Sequence, residues 1–367
     1  MRRRVPLAVL ALALLAAPAR ADAVDEAARA LRDGRRSARD RVDAAHALAA
    51  AGASSARDRD RAVPRLVDAL ADPAGDVRAA AAGALARLED PRAIPGLVAR
   101  LGVETEETVL ASGLLAVGET GSAGEVAAVG PFAGHASPRL RAAAGTALGV
   151  LGGEQARQRV LALLAKPGDD PDWAVRGAAL LALARCGKPA DAGTILVAYR
   201  EGEGANRWFA RAALAEAVAA LDPDPVALLD RLVADEDARV STTAAVGFVR
   251  AGRPEEVVRR LADARPAVRA AAVAAVSSTE LRRALPQVRE MAVRDPDRSV
   301  RWSAVLALSR LDDPAADPLL VEGVRSTDPQ VWASAVAECR RKTGLEMGRD
   351  PGAWTDALAS RRGEGVR

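Results

Sequence analysis

The apolar residues of this chain recur with a helical period and fall into blocks that polar turns separate. Between Val77 and Leu88 they lie at positions i, i+3, i+4, i+7, i+8 and i+11, which form one face of an α-helix. A shorter apolar block comes before each long one, as at 63–71, where Pro64 stands near the start and a helix does not need the missing N–H. Asp-Pro steps such as the one at 72–73 end one helix and begin the next. The pattern predicts helical hairpins throughout, and no segment alternates as a strand would.

One phrase, D-P-x-x-x-V-R-x-A-A-x-x-A-L-x-x-L, recurs along most of the chain and is clearest at Asp72–Leu88. The position before its arginine, called the register position here, recurs at intervals of 28 to 35 residues. The ten register positions are Val42, Val77, Val109, Leu140, Val175, Phe209, Val240, Val268, Val300 and Val331. A hairpin of about 30 residues cannot bury its own apolar face, so each one is predicted to stack on its neighbours. The glycine-rich stretch 118–134 predicts one interruption, with a shortened first helix.

This phrase resembles the bacterial HEAT repeat, in the short form also called the phycobilisome-lyase HEAT-like repeat, over roughly residues 36–342. The resemblance implies an all-α fold, a right-handed α-solenoid of about ten hairpins whose second helices line a concave face. The tail 343–354 (TGLEMGRDPGAW) is similar to an ending that follows the last repeat in many secreted bacterial relatives. We therefore expect a C-terminal cap in which Trp354 covers the last apolar face.

The first 21 residues have the order of a secretory signal peptide. The basic start Arg2–Arg4 is followed by the apolar stretch Val5–Ala17 and by a small-x-small site at 19–21. The apolar stretch is too short to span a bilayer, and no later run of about 18 apolar residues occurs. We expect cleavage before Asp22, export to the periplasm or the extracellular space, and no membrane span after cleavage. The predicted domains are a signal peptide at 1–21, a solenoid at 22–342 and a cap or tail at 343–367.

Removal of that segment changes the charge balance. The full chain carries 52 Lys and Arg against 49 Asp and Glu, and residues 1–21 hold four arginines and no acidic residue. The remaining chain therefore has 48 basic against 49 acidic residues, a net charge of −1. Because affinity for nucleic acids depends on basic side chains that neutralise phosphates, this balance predicts no nucleic-acid partner.

Residues that could carry catalysis are sparse. The two histidines, His46 and His135, fall about three repeats apart and cannot share a metal ion. The two cysteines, Cys186 and Cys339, lie five repeats apart, which is farther than a disulfide reaches, so two buried free thiols are predicted. No metalloprotease, nucleophile-elbow, redox or phosphate-loop motif occurs. We therefore predict no catalytic, cofactor-binding or metal-binding residue.

The repeated arginine has two interpretations. Five hairpins carry it, as Arg78, Arg141, Arg176, Arg269 and Arg301, and the others have Asp43, Leu110, Ala210, Ser241 and Trp332 there. The row either holds an acidic partner, with Arg269 and Arg301 as candidate binding residues, or pairs with turn aspartates such as Asp76, Asp172 and Asp297. Self-pairing is the favoured interpretation, because most rows of charged side chains are solvated or paired within the protein.

Trp302 and Trp332 are the second candidate set. They are 30 residues apart, close to one repeat, and both follow the register valine. We predict that they stand near each other on adjacent second helices. They serve either as a partner-binding hot spot or, as is commoner for tryptophan, as fillers over alanine-rich grooves.

These patterns predict a non-enzymatic scaffold of the cell envelope or secreted space that binds a protein or peptide along its concave face. Two alternatives remain open at this stage. One is an enzyme such as a bilin lyase or isomerase, which only the name of the repeat suggests. The other is a structural spacer in an envelope assembly.

Overall fold

A computed structural model describes residues 23–164, 173–200 and 208–364. The predicted signal peptide at 1–21 lies outside these residues. The regular structure within them is helical, without a strand. The fold is an all-α solenoid, as the repeat pattern predicts.

The described helices alternate between the first and second helix of a hairpin. In chain order they are α1 (23–32), α2 (Ala38–Gly52), α3 (Ala56–Ala69), α4 (Gly75–Leu88), α5 (Ile94–Leu101), α6 (Glu107–Thr120), α7 (Val126–Val129), α8 (Pro138–Leu151), α9 (Gly153–Leu164), α10 (Trp173–Cys186), α11 (Ala192–Arg200), α12 (Trp208–Leu221), α13 (Val226–Val233), α14 (Ala238–Arg250), α15 (Pro254–Arg260), α16 (Pro266–Ser278), α17 (Leu285–Arg294), α18 (Arg298–Arg310), α19 (Ala316–Arg325), α20 (Pro329–Thr343) and α21 (Pro351–Glu364). From α1 to α20, each odd-numbered helix is a first helix and the next even-numbered helix is its second helix.

The chain forms two compact units, whose boundary falls within α12. The N-terminal unit is Met1–Leu214 and the C-terminal unit is Ala215–Arg367. In the N-terminal unit the second helices α2, α4, α6, α8 and α10 contact one another in succession. In the C-terminal unit α14, α16, α18 and α20 do the same. Each unit therefore contains a layer of second helices flanked by first helices.

The register positions lie at the centre of these layers. Val77, Val175 and Val300 each occupy the third position of a second helix and are fully buried. Small residues let the second helices approach closely. A Cβ atom placed on Gly149 of α8 would lie 2.5 Å from the Ala182 Cα of α10. The alanine-rich, aromatic-poor composition therefore suits a thin layer of tightly packed helices.

The register prediction is wrong by two residues in the first hairpin. Ser37 caps α2 and forms a capping box with Asp40, so the third helical residue is Asp40 and the next is Arg41. Arg41 is buried, whereas Val42 is only half-buried and Asp43 is exposed. The arginine position of this hairpin therefore belongs to Arg41, and the capping box sets the start of the helix ahead of the apolar pattern.

The register prediction is also wrong by one residue in the sixth hairpin. Ala210 is fully buried at the third position of α12, and Arg211 follows it with 8% exposure. Phe209 is half-buried and lies against Gly177 of α10. Phe209 therefore lies at the edge of the layer, and Arg211 occupies the position of the repeated arginine.

Two first helices differ in length from the usual pattern. α3 begins at Ala56 after the capping residue Ser55, so Pro64 lies inside this helix and not near its start as predicted. α7 has only four residues and passes into the short 3-10 helix Gly130–Gly134, which confirms the expected interruption. Gly130 keeps helical dihedral angles, but Pro131 has no N–H to continue the α-helical hydrogen bonds, and the chain goes on as the 3-10 helix.

The helix α21 follows the last hairpin and packs against α19 and α20. Trp354 is fully buried, and its Nε1 donates to the Gly348 carbonyl oxygen at 2.9 Å. Its indole is therefore part of the apolar core at this end of the C-terminal unit. Among the described residues, every helix is too short or too polar to cross a membrane.

Candidate partner-binding surface

The repeated arginine folds back over the turn that precedes its own helix. Nη1 of Arg78 donates to the carbonyl oxygens of Asp72 at 2.8 Å and of Pro73 at 3.1 Å. Arg269 makes the same pair of bonds to Asp263 and Ala264. These carbonyls lie between two helices, where no helical partner is available to them. Each arginine thus closes the turn of its own hairpin.

The other edge of the guanidinium binds a carboxylate of the next hairpin. Through Nε and Nη2, Arg41 holds Asp72, Arg78 holds Glu104, and Arg269 holds Asp295, at distances of 2.8 to 3.2 Å. All three carboxylates stand five residues before the next register position, which we call the acid position. The planar fork of arginine matches such a carboxylate with two parallel hydrogen bonds. The arginines therefore tie successive hairpins together.

Self-pairing is confirmed for Arg78 and Arg269, but the predicted partners are wrong. Asp297 accepts hydrogen bonds from the Ser299 and Val300 N–H groups and caps α18. Asp76 lies in the first turn of α4, while the acids that bind are at the acid position of the following hairpin. Asp172 lies outside the described residues. Spacing within one turn suggested an i, i+4 pair, whereas the stacking of hairpins decides the real partner.

The ties at Glu104 and Asp295 lower the pKa values of these two carboxyl groups. Burial opposes the charge of Glu104, but hydrogen bonds from Arg78, from the Glu106 and Thr105 N–H groups and from Arg100 hold its pKa at about 2. The hydrogen bonds from Arg269 hold the pKa of Asp295 below its usual range, against the effect of burial. These carboxylates are charged at neutral pH and belong to the internal support of the fold.

The two candidate arginines differ in what remains available to a ligand. Arg269 is buried, at 7% exposure, and its whole guanidinium is used by the fold. It does not lie where a partner would reach it. Arg301 is half-buried, and its Nη1 donates to the Asp295 and Pro296 carbonyl oxygens at 2.7 and 3.1 Å. The acid position that follows it holds Ser326 instead of a carboxylate.

Trp302 lies across the groove between α18 and the following hairpin. Its Nε1 donates to the Ser334 Oγ of α20 at 3.0 Å. Its ring covers Gly323 of α19, where a Cβ atom would lie 2.5 Å from the indole. Trp302 thus contacts the adjacent second helix through Ser334, two residues beyond Trp332, and its ring fills the space above Gly323. The ring remains half-buried.

Trp332 occupies the arginine position of the last hairpin. The guanidinium of Arg349, from the tail, lies over this ring with its central carbon 5.1 Å from the ring centroid. Arg349 also donates to the carbonyl oxygens of Val324, at the end of α19, and of Ser326, in the turn before α20. An arginine supplied by the tail therefore closes the turn where the repeated arginine is replaced by tryptophan.

Arg301 and Trp302 line a cleft of ≈ 410 Å³ between α18, α19 and the start of α20. Two further arginines, Arg298 and Arg325, and one acid, Glu322, line it as well. Arg298 reaches Asp328 at 3.5 Å. The cleft combines an aromatic wall with an excess of positive charge.

The second helices also present a row of half-buried and exposed residues that sequence reasoning missed. It consists of the sixth residue after each register position, in the middle of each helix. Beyond α2, with the register as the structure places it, its members are Gly83, Leu115, Thr146, Leu181, Glu216, Val246, Ala274, Leu306 and Ala337. Eight of these nine are uncharged, and the exception, Glu216, is paired with Arg250 at 2.7 Å. We call this set the mid-helix row. The repeat phrase contains this row, but its positions lie off the buried apolar stripe on which the sequence prediction depends.

Leu115 and Leu181 are the large members of the mid-helix row in the N-terminal unit. They are 41% and 44% exposed, respectively. The smaller members between and beside them, Gly83 and Thr146, are half-buried. The row is therefore an apolar surface with two protruding leucines.

The histidines and cysteines stand apart from this surface chemistry. His135 is exposed, and its Nδ1 accepts from the Ser137 N–H at 3.0 Å. His46 is exposed on α2. Both thiols are free, as predicted, although Cys186 is only half-buried; burial raises the pKa of Cys339 to about 11. Within the described ranges, no three His, Cys, Asp or Glu residues cluster as metal ligands.

Some solved structures resemble the chain at low structural similarity. The complex of CpcE and CpcF of phycocyanin lyase from Nostoc sp. PCC7120 is 26% identical, with a TM-score of 0.37, over 61% of this chain and 82% of that one. Human deoxyhypusine hydroxylase in complex with glycerol is 19% identical, with a TM-score of 0.35, over 81% and 99%. An engineered protein is 19% identical, with a TM-score of 0.37, over 85% and 97%.

The sequence itself identifies the family. No protein with a curated description matches the chain. The family model of HEAT repeats matches residues 28–118, 126–219 and 254–339, which together make up most of the chain. These segments include most of the described hairpins and the arginine ties between them. The chain belongs to the family of HEAT-repeat proteins.

Proposed function

We propose that this chain is a non-enzymatic, exported HEAT-repeat scaffold that binds a protein or peptide along its second helices. The observation that carries the proposal is the mid-helix row. Solvent-facing residues in the middle of a helix are usually polar, because water solvates them there. Eight of nine positions in this row are uncharged, and Leu115 and Leu181 project from it.

The first helices provide the contrast. Some of them expose charged side chains in mid-helix, as with Arg65 and Asp68 on α3 and Arg289 and Glu290 on α17. On the second helices, exposed charged residues lie near the C-terminal ends, as Arg87 does on α4. A surface that is apolar in its centre and charged at its rim has the composition of a protein-binding interface.

The spacing of the row favours an extended polypeptide. Packed helices lie about 8–10 Å apart, which corresponds to roughly three residues of an extended chain. Leu115 and Leu181 are separated by one intervening second helix, so they fit side chains about six residues apart. Trp302 would supply a further anchor in the C-terminal unit, because large aromatic residues contribute strongly to binding.

Selection of peptides on the immobilised full chain tests this function. Phage-displayed random peptides should yield binders whose capture falls at least tenfold with Leu115→Glu plus Leu181→Glu or with Trp302→Ala plus Trp332→Ala. The control is Val293→Glu, which places the same charge at a 63% exposed aliphatic residue on first helix α17. Equal loss of binding with the control, or no selectable peptide at all, would refute the proposed surface.

The export part of the proposal has its own measurement. The order of charged, apolar and small residues at 1–21 supports it. Mass spectrometry of the protein from a bacterial host should give a mature chain that begins at Asp22 in the periplasmic or medium fraction. An intact N-terminus in the cytoplasmic fraction would contradict export.

A further inference from the structure

The arginine ties of the other hairpins show how the repeated arginine binds a carboxylate, and Arg301 in the cleft can be compared with them. In three hairpins the Nε and Nη2 edge of the repeated arginine binds a carboxylate at the next acid position: Arg41 with Asp72, Arg78 with Glu104 and Arg269 with Asp295. The Nη1 edge closes the turn by binding its carbonyls. The same two-sided use therefore recurs at places far apart in the chain.

Arg301 keeps one half of this arrangement and lacks the other. Its Nη1 binds the Asp295 and Pro296 carbonyls, which fixes the guanidinium in the same orientation as in the other hairpins. The acid position ahead of it holds Ser326, whose Oγ faces Arg298 at 3.4 Å and accepts from the Asp328 N–H. Among the described residues, Arg301 has no carboxylate within ion-pair distance. Its carboxylate-binding edge is oriented but unfilled.

The surroundings of this edge form an open site. Arg301 lines the ≈ 410 Å³ cleft together with Trp302, Arg298 and Arg325. Trp302 is fixed by its bond to Ser334 and by its contact with Gly323, so the aromatic wall is already in place. Because Arg298 lies 3.5 Å from Asp328, the other two arginines face one lining acid, Glu322, which still leaves net positive charge. Arginine paired with a carboxylate in two parallel hydrogen bonds is the strongest charge-assisted arrangement available here.

We propose that this cleft binds an acidic side chain of a polypeptide partner, with the partner's Asp or Glu carboxylate on Arg301 and a neighbouring apolar residue against Trp302. This inference rests on the proposed function and names the chemistry of the partner at one site. The carboxylate takes the place that Asp72, Glu104 and Asp295 take elsewhere. Val305 and Leu319, which also line the cleft, make room for an apolar side chain beside the acid.

A variant that fills the site from within gives the sharpest test. Ser326→Asp restores a carboxylate at the acid position and should pair with Arg301. We expect a higher midpoint of thermal unfolding and, because the site is then occupied, at least about a tenfold loss of affinity for selected acidic peptides. Thr327→Asp adds the same charge one residue away, at an exposed position outside the acid position. It should leave both properties close to those of the wild type.

Removal of the arginine gives the complementary result. Peptides selected on the full chain should be enriched in Asp or Glu next to an apolar residue, and Arg301→Met should lower their affinity at least about tenfold. Arg310→Met, an exposed arginine on the same helix, is the matched control. Inorganic phosphate and N-acetylglutamate at equal concentration distinguish the ligand groups, and the carboxylate should compete better.

The outcomes separate the two proposals. If no peptide is selected, the proposed function fails and this site fails with it. If peptides bind without an acidic residue and are unaffected by Arg301→Met, the scaffold function stands and the carboxylate site is overturned. Unchanged binding and stability in Ser326→Asp, or better competition by phosphate, would also overturn it.

Discussion

At the scale of single residues, the repeated arginine is the most informative position in the chain. The sequence indicated that it pairs with acids within the protein, and the structure agrees for Arg78 and Arg269. The sequence did not indicate which acids it meets, because Glu104 and Asp295 belong to the next hairpin and the contact depends on how hairpins stack. Ser326 could have been noticed in the alignment of turns, since it stands where Asp72 and Asp295 stand. That Ser326 leaves the Nε and Nη2 edge of Arg301 without a carboxylate is visible only from the position of Arg301.

Loss of one arginine tie should destabilise the N-terminal unit. The side chains of Arg78 and Glu104 are 8% and 2% exposed, so Arg78→Met leaves a buried carboxylate without its main partner. We expect a loss of about 3 kcal/mol in the free energy of unfolding, as is typical when one member of a buried pair is removed. Urea unfolding followed by circular dichroism measures it. Arg87→Met, on the exposed end of the same helix, should have little effect, and similar midpoints for both variants would contradict the role of the tie.

The same tie makes stability depend on pH. The pKa of Glu104 is about 2 in the folded chain, against 4.5 for a glutamate without these contacts. A folded pKa below the unfolded one stabilises the fold fully above pH 4.5, and this contribution is lost as the pH falls toward 2. Glu104→Gln should therefore lose about 3 kcal/mol in the free energy of unfolding at neutral pH and show a flatter decline of stability between pH 5 and 2. A parallel decline in wild type and variant would show that Glu104 does not carry this dependence.

At the scale of elements, the periodic helices were predictable and the irregular ones were not. The second helices follow the apolar stripe closely, since burial of Val77 or Val300 and helix phase agree. The start of α3 at Ala56 depends on the Ser55 cap, which lies outside the apolar block. The closing role of Arg349 over Trp332 depends on a tail that folds back, for which the repeat pattern has no counterpart.

Two glycines in second helices should respond oppositely to alanine. A Cβ atom on Gly149 would lie 2.5 Å from the Ala182 Cα, which is backbone and cannot move aside. Gly149→Ala should therefore destabilise the chain by about 1–3 kcal/mol through overpacking. Gly83 has open space around it, and Gly83→Ala should stabilise it by up to about 1 kcal/mol, because alanine favours helix. Thermal unfolding measures both, and a shift in the same direction would refute close packing of α8 on α10.

Truncation of the buried tryptophan in α21 should affect the end of the C-terminal unit. Trp354 is fully buried, whereas Trp208 is 38% exposed and provides a comparison. Trp354→Ala should lower the free energy of unfolding by about 3–5 kcal/mol, and Trp208→Ala by clearly less. Hydrogen exchange should show faster opening of α19 and α20, against which α21 packs. Unchanged protection of these two helices would show that α21 does not support them.

At the scale of the whole molecule, the fold class could be predicted from the sequence because the repeat runs through most of the chain. Residue identities at one spacing predicted an all-α solenoid of hairpins, and the family match agrees. The working surface was only partly foreseen. Trp302 and Arg301 were singled out, and both line the cleft, while Arg269 is buried in the fold and Leu115 and Leu181 were overlooked. The exposed side of a helix follows from its stacking, which composition and charge alone do not specify.

Because of the arginine ties, one hairpin repeat is the smallest segment whose deletion should leave the contacts between the remaining hairpins intact. Deletion of residues 264–295 would join Asp263 to Pro296, so that an Asp-Pro junction is regenerated and the Asp263 carbonyl takes the place of the Asp295 carbonyl before Arg301. Deletion of α16 alone (Pro266–Ser278) would leave α15 and α17 without the second helix between them. The shortened chain should stay helical and cooperative in the first case and lose order in the second. The architecture therefore tolerates a change in the number of hairpins but not a change in their phase.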